Sequence, residues 1–135
     1  MPGIGGKISV RLLVGAAVAA VAVLALLGTA SAHKPRIKST ISIHTFYDHQ
    51  SSEFVYYGRV RSDERACRRH RTVLLVNEQG SGAVGADLTN RRGHWEIRQG
   101  SDGLSGDYYA RVKRKVTNRF ICKGARSRSV PAPNP

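Results

Sequence analysis

The run Asp107-Tyr108-Tyr109-Ala110-Arg111-Val112-Lys113 sets Tyr108, Ala110 and Val112 on one face of an extended chain and Tyr109, Arg111 and Lys113 on the other. This is the period of a half-buried strand. The pattern recurs on both sides. Phe54, Tyr56, Gly58 and Val60 alternate with Val55, Tyr57 and Arg59, and Trp95 and Ile97 alternate with His94, Glu96 and Arg98. Ile41, Ile43 and Thr45 alternate with Ser42 and His44, while Thr72–Val76 is the continuous, β-branched run of a central strand. Ala83–Thr89 reads as a weaker strand of small side chains.

Gly58 within a strand implies a bulge or a close backbone approach. Gln79–Gly82 and Asn90–Gly93 are turns, the second with Gly93 for a positive φ. No apolar stripe at helical spacing supports a helix, so the charged stretch Arg61–Arg71 reads as a loop anchored at Cys67. About seven strands with frequent turn signals predict an all-β, antiparallel β-sandwich of the prealbumin or immunoglobulin-like kind over residues 33–128. Pro131, Pro133 and Pro135 predict a disordered tail over 129–135.

The region ahead of the strands has a different character. Lys7 and Arg11 precede an uncharged stretch from Leu12 to Ala32 that ends in Ala30-Ser31-Ala32. A charged lead, an apolar helical core and a small-residue exit describe a signal peptide over 1–32. The same stretch is long enough for an uncleaved membrane anchor, the one route by which a membrane would be involved. Both readings place the strands outside the cytoplasm, secreted or on the extracellular face of the cell envelope.

An exported chain with two cysteines predicts one disulfide, Cys67–Cys122. Their separation is no CxxC redox motif, and two thiolates alone make no zinc site. Without Lys7 and Arg11, 20 of the 22 basic residues remain against all nine acidic ones, a formal charge of +11. Such a field draws polyanions, with a strength that falls as salt rises. Export excludes intracellular nucleic acid and leaves anionic envelope or matrix polymers as the expected partners.

Several of these residues recur in a known arrangement. Phe54-x-x-x-Gly58-x-Val60, Cys67 and Arg71-x-Val73-x-Leu75 are followed by Thr89-x-x-x-Gly93-x-Trp95-x-Ile97, then Gly106-x-Tyr108-Tyr109-Ala110-x-Val112 and Cys122. The set resembles the carboxypeptidase-regulatory-like, or prealbumin-like, β-sandwiches of small exported actinobacterial proteins. The resemblance covers Phe54 to about Arg128 and rests on core and turn positions. It implies a non-catalytic accessory or adhesive module and supplies no active-site residue.

Catalytic and metal chemistry have little to stand on. His33, His44, His49, His70 and His94 lack the tight spacing of a zinc motif. No Gly-x-Ser-x-Gly elbow occurs, and nothing marks a pair among Glu53, Glu64, Glu78 and Glu96 for glycoside hydrolysis. The expectation is no enzyme, cofactor or metal. The basic residues carry what functional signal there is. Arg61, Arg65, Arg68, Arg69 and Arg71 surround Cys67, while Arg111, Lys113, Arg114, Lys115 and Arg119 lead to Cys122. A disulfide would join the two groups into one polyanion-binding patch, with Tyr57 and Tyr109 beside it for stacking. The alternatives are a structural subunit docking a protein partner through a sheet face or edge, and a secreted hydrolase with an unmarked site.

Overall fold

Alternation becomes strand along most of its length, with a break at Ser42 and Ile43 inside the Ile41–Thr45 run. The computed structural model describes residues 33–80, 82–100 and 105–135, so the signal segment 1–32 lies outside the described residues. The first strands are β1 (Arg36–Ile37), β2 (Thr40–Ile41), β3 (His44–Asp48) and β4 (Glu53–Arg61). After a 3-10 turn at Arg65–Cys67 come β5 (Thr72–Asn77), β6 (Ala83–Leu88) and β7 (His94–Gly100). The remainder are β8 (Asp107–Val112), β9 (Lys115–Val116), β10 (Ile121–Cys122), β11 (Ala125–Arg126) and β12 (Val130–Pro131). Among the described residues no helix is long and apolar enough to cross a membrane.

Two larger sheets share one core. In the first, β5 lies between β6 and β8, and β11 and β12 both run along the far edge of β8. In the second, β4 lies between β7 and an edge formed by β2 and β3. All these pairings are antiparallel. Phe54, Tyr56, Val60, Trp95 and Ile97 of the second sheet meet Val73, Leu75, Tyr108, Ala110 and Val112 of the first, with Ile41, Ile43 and Val130 completing the cluster. The face of Trp95 and Ile97 and the face of Tyr108, Ala110 and Val112 are thus buried, while β4 also buries Val55 of its other face. Tyr56 and Tyr108 stack at a tilt with ring centroids 4.9 Å apart. Burial, and then the neighbouring Tyr108, push the Tyr56 phenol well above its ordinary range.

Both outer edges are broken by a serine. The Arg59 amide donates to Ser42 Oγ (3.0 Å) and the Ala110 amide to Ser127 Oγ (2.8 Å), so in each case a hydroxyl replaces a main-chain acceptor. With each interrupted edge counted once, the two sheets hold seven strands. At the Ser42 interruption the chain folds its carbonyl over Gly58, and a β-carbon on Gly58 would overlap the Ser42 oxygen. The close approach expected at Gly58 is thus the means by which this edge bends. Gly58→Ala is expected to destabilise the protein by about 3 kcal/mol, read from the urea midpoint, since a main-chain atom must move to admit the methyl. Gly93 adopts φ +84° as its turn requires, and its carbonyl accepts the Val60 amide at 2.8 Å.

Two features depart from expectation. Residues 129–135 are not a disordered tail: Val130 is in the core, Val130–Pro131 pairs with Tyr108 and Asp107, and the Ala132 amide donates to Gly106 O (2.9 Å). Proline is tolerated there because β12 is an edge strand. The second departure is a small third sheet, β1–β10–β9, whose β1–β10 pairing is parallel. It carries Cys122, which is bonded to Cys67 with the Cα atoms 5.3 Å apart, as the cysteine count predicts.

Candidate polyanion-binding surface

Arg61 leaves the end of β4, and the chain turns through Arg65–Cys67 before re-entering the sheet at Thr72. The disulfide fixes this loop against β10, which pairs with β9 so that Cys122 lies opposite Lys115. Lys115 then reaches across, its Nζ donating to the Arg69 (3.0 Å) and Ala66 (3.4 Å) carbonyls. Burial, followed by the nearby Arg71 and Arg69 charges, holds its ammonium below the usual lysine range. Lys115 of the second basic group is thereby held against the loop that carries the first.

The basic residues fall into three sets. Arg61, Arg65, Arg69 and Arg119 are exposed around the disulfide, with Arg68 and Lys115 half-buried among them. Arg119 sits at the tip of the β9–β10 turn, which Thr117 closes by accepting the Phe120 amide on its Oγ1 (2.8 Å). Arg111, Lys113 and Arg114 form the second set. With Val112, Gly124, Ala125 and Arg126 they line an open depression of about 330 Å³ that has no acidic residue in its walls.

Arg71 alone makes the third, and it corrects the sequence reading. Its side chain is fully buried. Nη1 donates to Cys67 O (2.6 Å) and Ser39 Oγ (3.0 Å), and Nη2 to Lys113 O (2.8 Å) and Lys123 O (2.9 Å). The guanidinium ties four chain segments together beneath the surface and is not available to a ligand. Burial lowers its pKa, but an arginine stays charged at any ordinary pH.

Some contributors were not legible in advance. Lys34, Arg36 and Lys38 join the disulfide end because β1 pairs with β10, and Lys34 Nζ donates to Thr117 O (3.0 Å). Their number in the lead-in was a signal, but their place depended on a parallel pairing that no local pattern announces.

The carboxylates are spent elsewhere. Asp48, Glu53 and Glu96 converge on Arg98 at 3.1, 3.2 and 2.8 Å, and Glu78 pairs with Arg126 at 3.0 Å. Arg98 holds the Asp48 carboxyl below its ordinary value. Asp87 accepts the Leu88 (2.8 Å) and Glu96 (2.9 Å) amides. Among the described residues, only Asp63 and Glu64 bring acid to the Arg61–Arg71 loop, and neither forms an ion pair. The tyrosines expected to assist do not join this surface. Tyr109 is covered by the Arg126 guanidinium 3.6 Å above its ring, and Tyr57 lies on the outer face of the β3–β4–β7 sheet. No family model matches the chain, and no curated protein or solved structure matches it.

Proposed function

We propose that this protein is an exported, non-catalytic binding module, a prealbumin-like β-sandwich that engages anionic polymers of the cell envelope or matrix through its disulfide end. One observation carries the reading: basic side chains from β1, the Arg61–Arg71 loop and the β8–β10 region gather with only Asp63 and Glu64 among them, while Asp48, Glu53, Glu78 and Glu96 are paired with Arg98 and Arg126. A field of this kind concentrates a polyanion before any specific contact is made. Exposed arginines then offer paired N–H groups in the geometry that phosphate and carboxylate accept. The depression walled by Arg111, Lys113 and Arg114 would seat one anionic group of the polymer as it passes. The disulfide supports an oxidising, extracytoplasmic location, as does the charged, apolar, small-residue order of residues 1–32.

The test is binding of the oxidised protein to isolated host envelope and to soluble polyphosphate across a salt series. Affinity is expected to fall steadily with salt. The triple variant Arg65→Ala, Arg69→Ala, Arg119→Ala should lower the slope of log K against log salt by about 2–3, one counterion-linked contact per charge. Salt-independent binding, or an unchanged slope in the triple variant, would reject the charge-based reading in favour of a protein partner.

A further inference from the structure

On the outer face of the β3–β4–β7 sheet, registers place His44 opposite Tyr57 and Tyr57 opposite Glu96, and Phe46 opposite Val55 and Val55 opposite Arg98. One row further on, Arg59 stands opposite His94. These side chains, with Asp87 and Leu88 of β6, line an open groove of about 780 Å³. That volume is in the range of small-ligand sites.

Two aromatic rings are left bare in it. Phe46 is 46% exposed and Tyr57 41%, although the outer-face Val55 between them is only 1% exposed. Their rings meet edge to face at 67° with centroids 5.8 Å apart, and the His44 ring, also from β3, lies 5.4 Å from Tyr57. The result is a ring-lined corner beside a rigid floor. Trp95 also lines the groove, near Gly58, and its indole N–H is buried without a hydrogen-bond partner among the described residues.

The polar walls narrow the choice of occupant. Arg59, Arg61 and Arg98 are offset by Asp87 and Glu96, and Arg98 is already held by three carboxylates. The groove therefore lacks the basic excess of the disulfide end. It offers aromatic faces flanked by planar donors and acceptors: guanidinium, carboxylate, imidazole and the Asn90 amide. Such a set matches a sugar ring, whose C–H face packs on an aromatic while neighbouring hydroxyls bond in pairs to planar groups at its rim. An open floor on a sheet suits an extended, β-linked chain.

We propose that this groove binds a neutral, β-linked pyranose oligosaccharide, stacked on Tyr57 and Phe46. The proposal is independent of the polyanion reading, since it rests on ring stacking and shares only Arg61 with the disulfide end.

The test titrates the oxidised protein with β-1,4-linked hexamers of glucose and of N-acetylglucosamine, read by calorimetry and by amide shifts. Binding of at least one hexamer is expected, with shifts centred on residues 44–46, 55–59 and 94–98. Its affinity should change less than about twofold between about 0.05 and 0.5 M salt, because little of it is charge attraction. Tyr57→Ala and Phe46→Ala should each weaken it by about tenfold while leaving polyphosphate binding unchanged. The Arg65, Arg69 and Arg119 triple variant should do the reverse. Absence of binding by both hexamers overturns the proposal. So does saccharide binding that survives Tyr57→Ala in a folded variant, or shifts confined to the disulfide end.

Discussion

Arg71→Met is expected to lower the unfolding free energy by about 3–5 kcal/mol, the range found when one partner of a buried charged network is removed. The expectation rests on what would be left behind. Three main-chain carbonyls and the Ser39 hydroxyl, drawn from four separate segments, would lose their donor, two of them at buried and two at part-buried positions. Each orphaned acceptor is costly on its own. For a domain of this size the loss corresponds to a fall in Tm of about 15–30 °C, measurable by calorimetry. Arg71→Lys should recover less than half of it, because a single ammonium cannot span both pairs of acceptors as the planar fork does. A Tm within a few degrees of the parent for Arg71→Met would show that the network orders these segments without holding them.

The second large effect is removal of the disulfide. Closing 55 residue steps contributes about 4 kcal/mol in the chain-entropy account, so the Cys67→Ala, Cys122→Ala protein should unfold at a correspondingly lower urea midpoint. The two tethers act on the same junction, since Arg71 grips Cys67 O and, one residue past Cys122, Lys123 O. Their combined loss rivals the whole stability of an ordinary domain. The protein lacking both is expected to be unfolded at 25 °C by far-ultraviolet circular dichroism. A folded, cooperative spectrum would mean that the core alone suffices.

How much of this was readable in advance depends on whether the cause is local. The faces of β4, β7 and β8 were legible because a period of two is a property of the strand itself, and β5 was legible as a continuous β-branched run. The disulfide followed from having only two cysteines in a chain read as exported. Arg71 shows a signal present and overridden: Arg71, Val73 and Leu75 share a face by that same period, yet the run Arg68-Arg69-His70-Arg71 reads as a solvated cluster. Burial of a charge there required acceptors from Ser39, Lys113 and Lys123, which no local reading supplies. Val130 was hidden by its prolines. The groove was hidden for a different reason, because His44 and Phe46 become neighbours of Tyr57 and Val55 only once the β3–β4 register is fixed.

The covalent bridge also decides how the chain would carry tension. Force applied at the two termini passes along the covalent chain from Cys67 to Cys122 through sulfur, so residues 68–121, with β5 to β9 among them, cannot be drawn out. Stretching could extend only the segments before and after the bridge, and about 190 Å of contour would stay locked, at about 3.4 Å for each of the 55 steps. Under tension the protein would lengthen by shedding its edges, β11 and β12 peeling from β8, while the chain from β5 to β9 keeps its length.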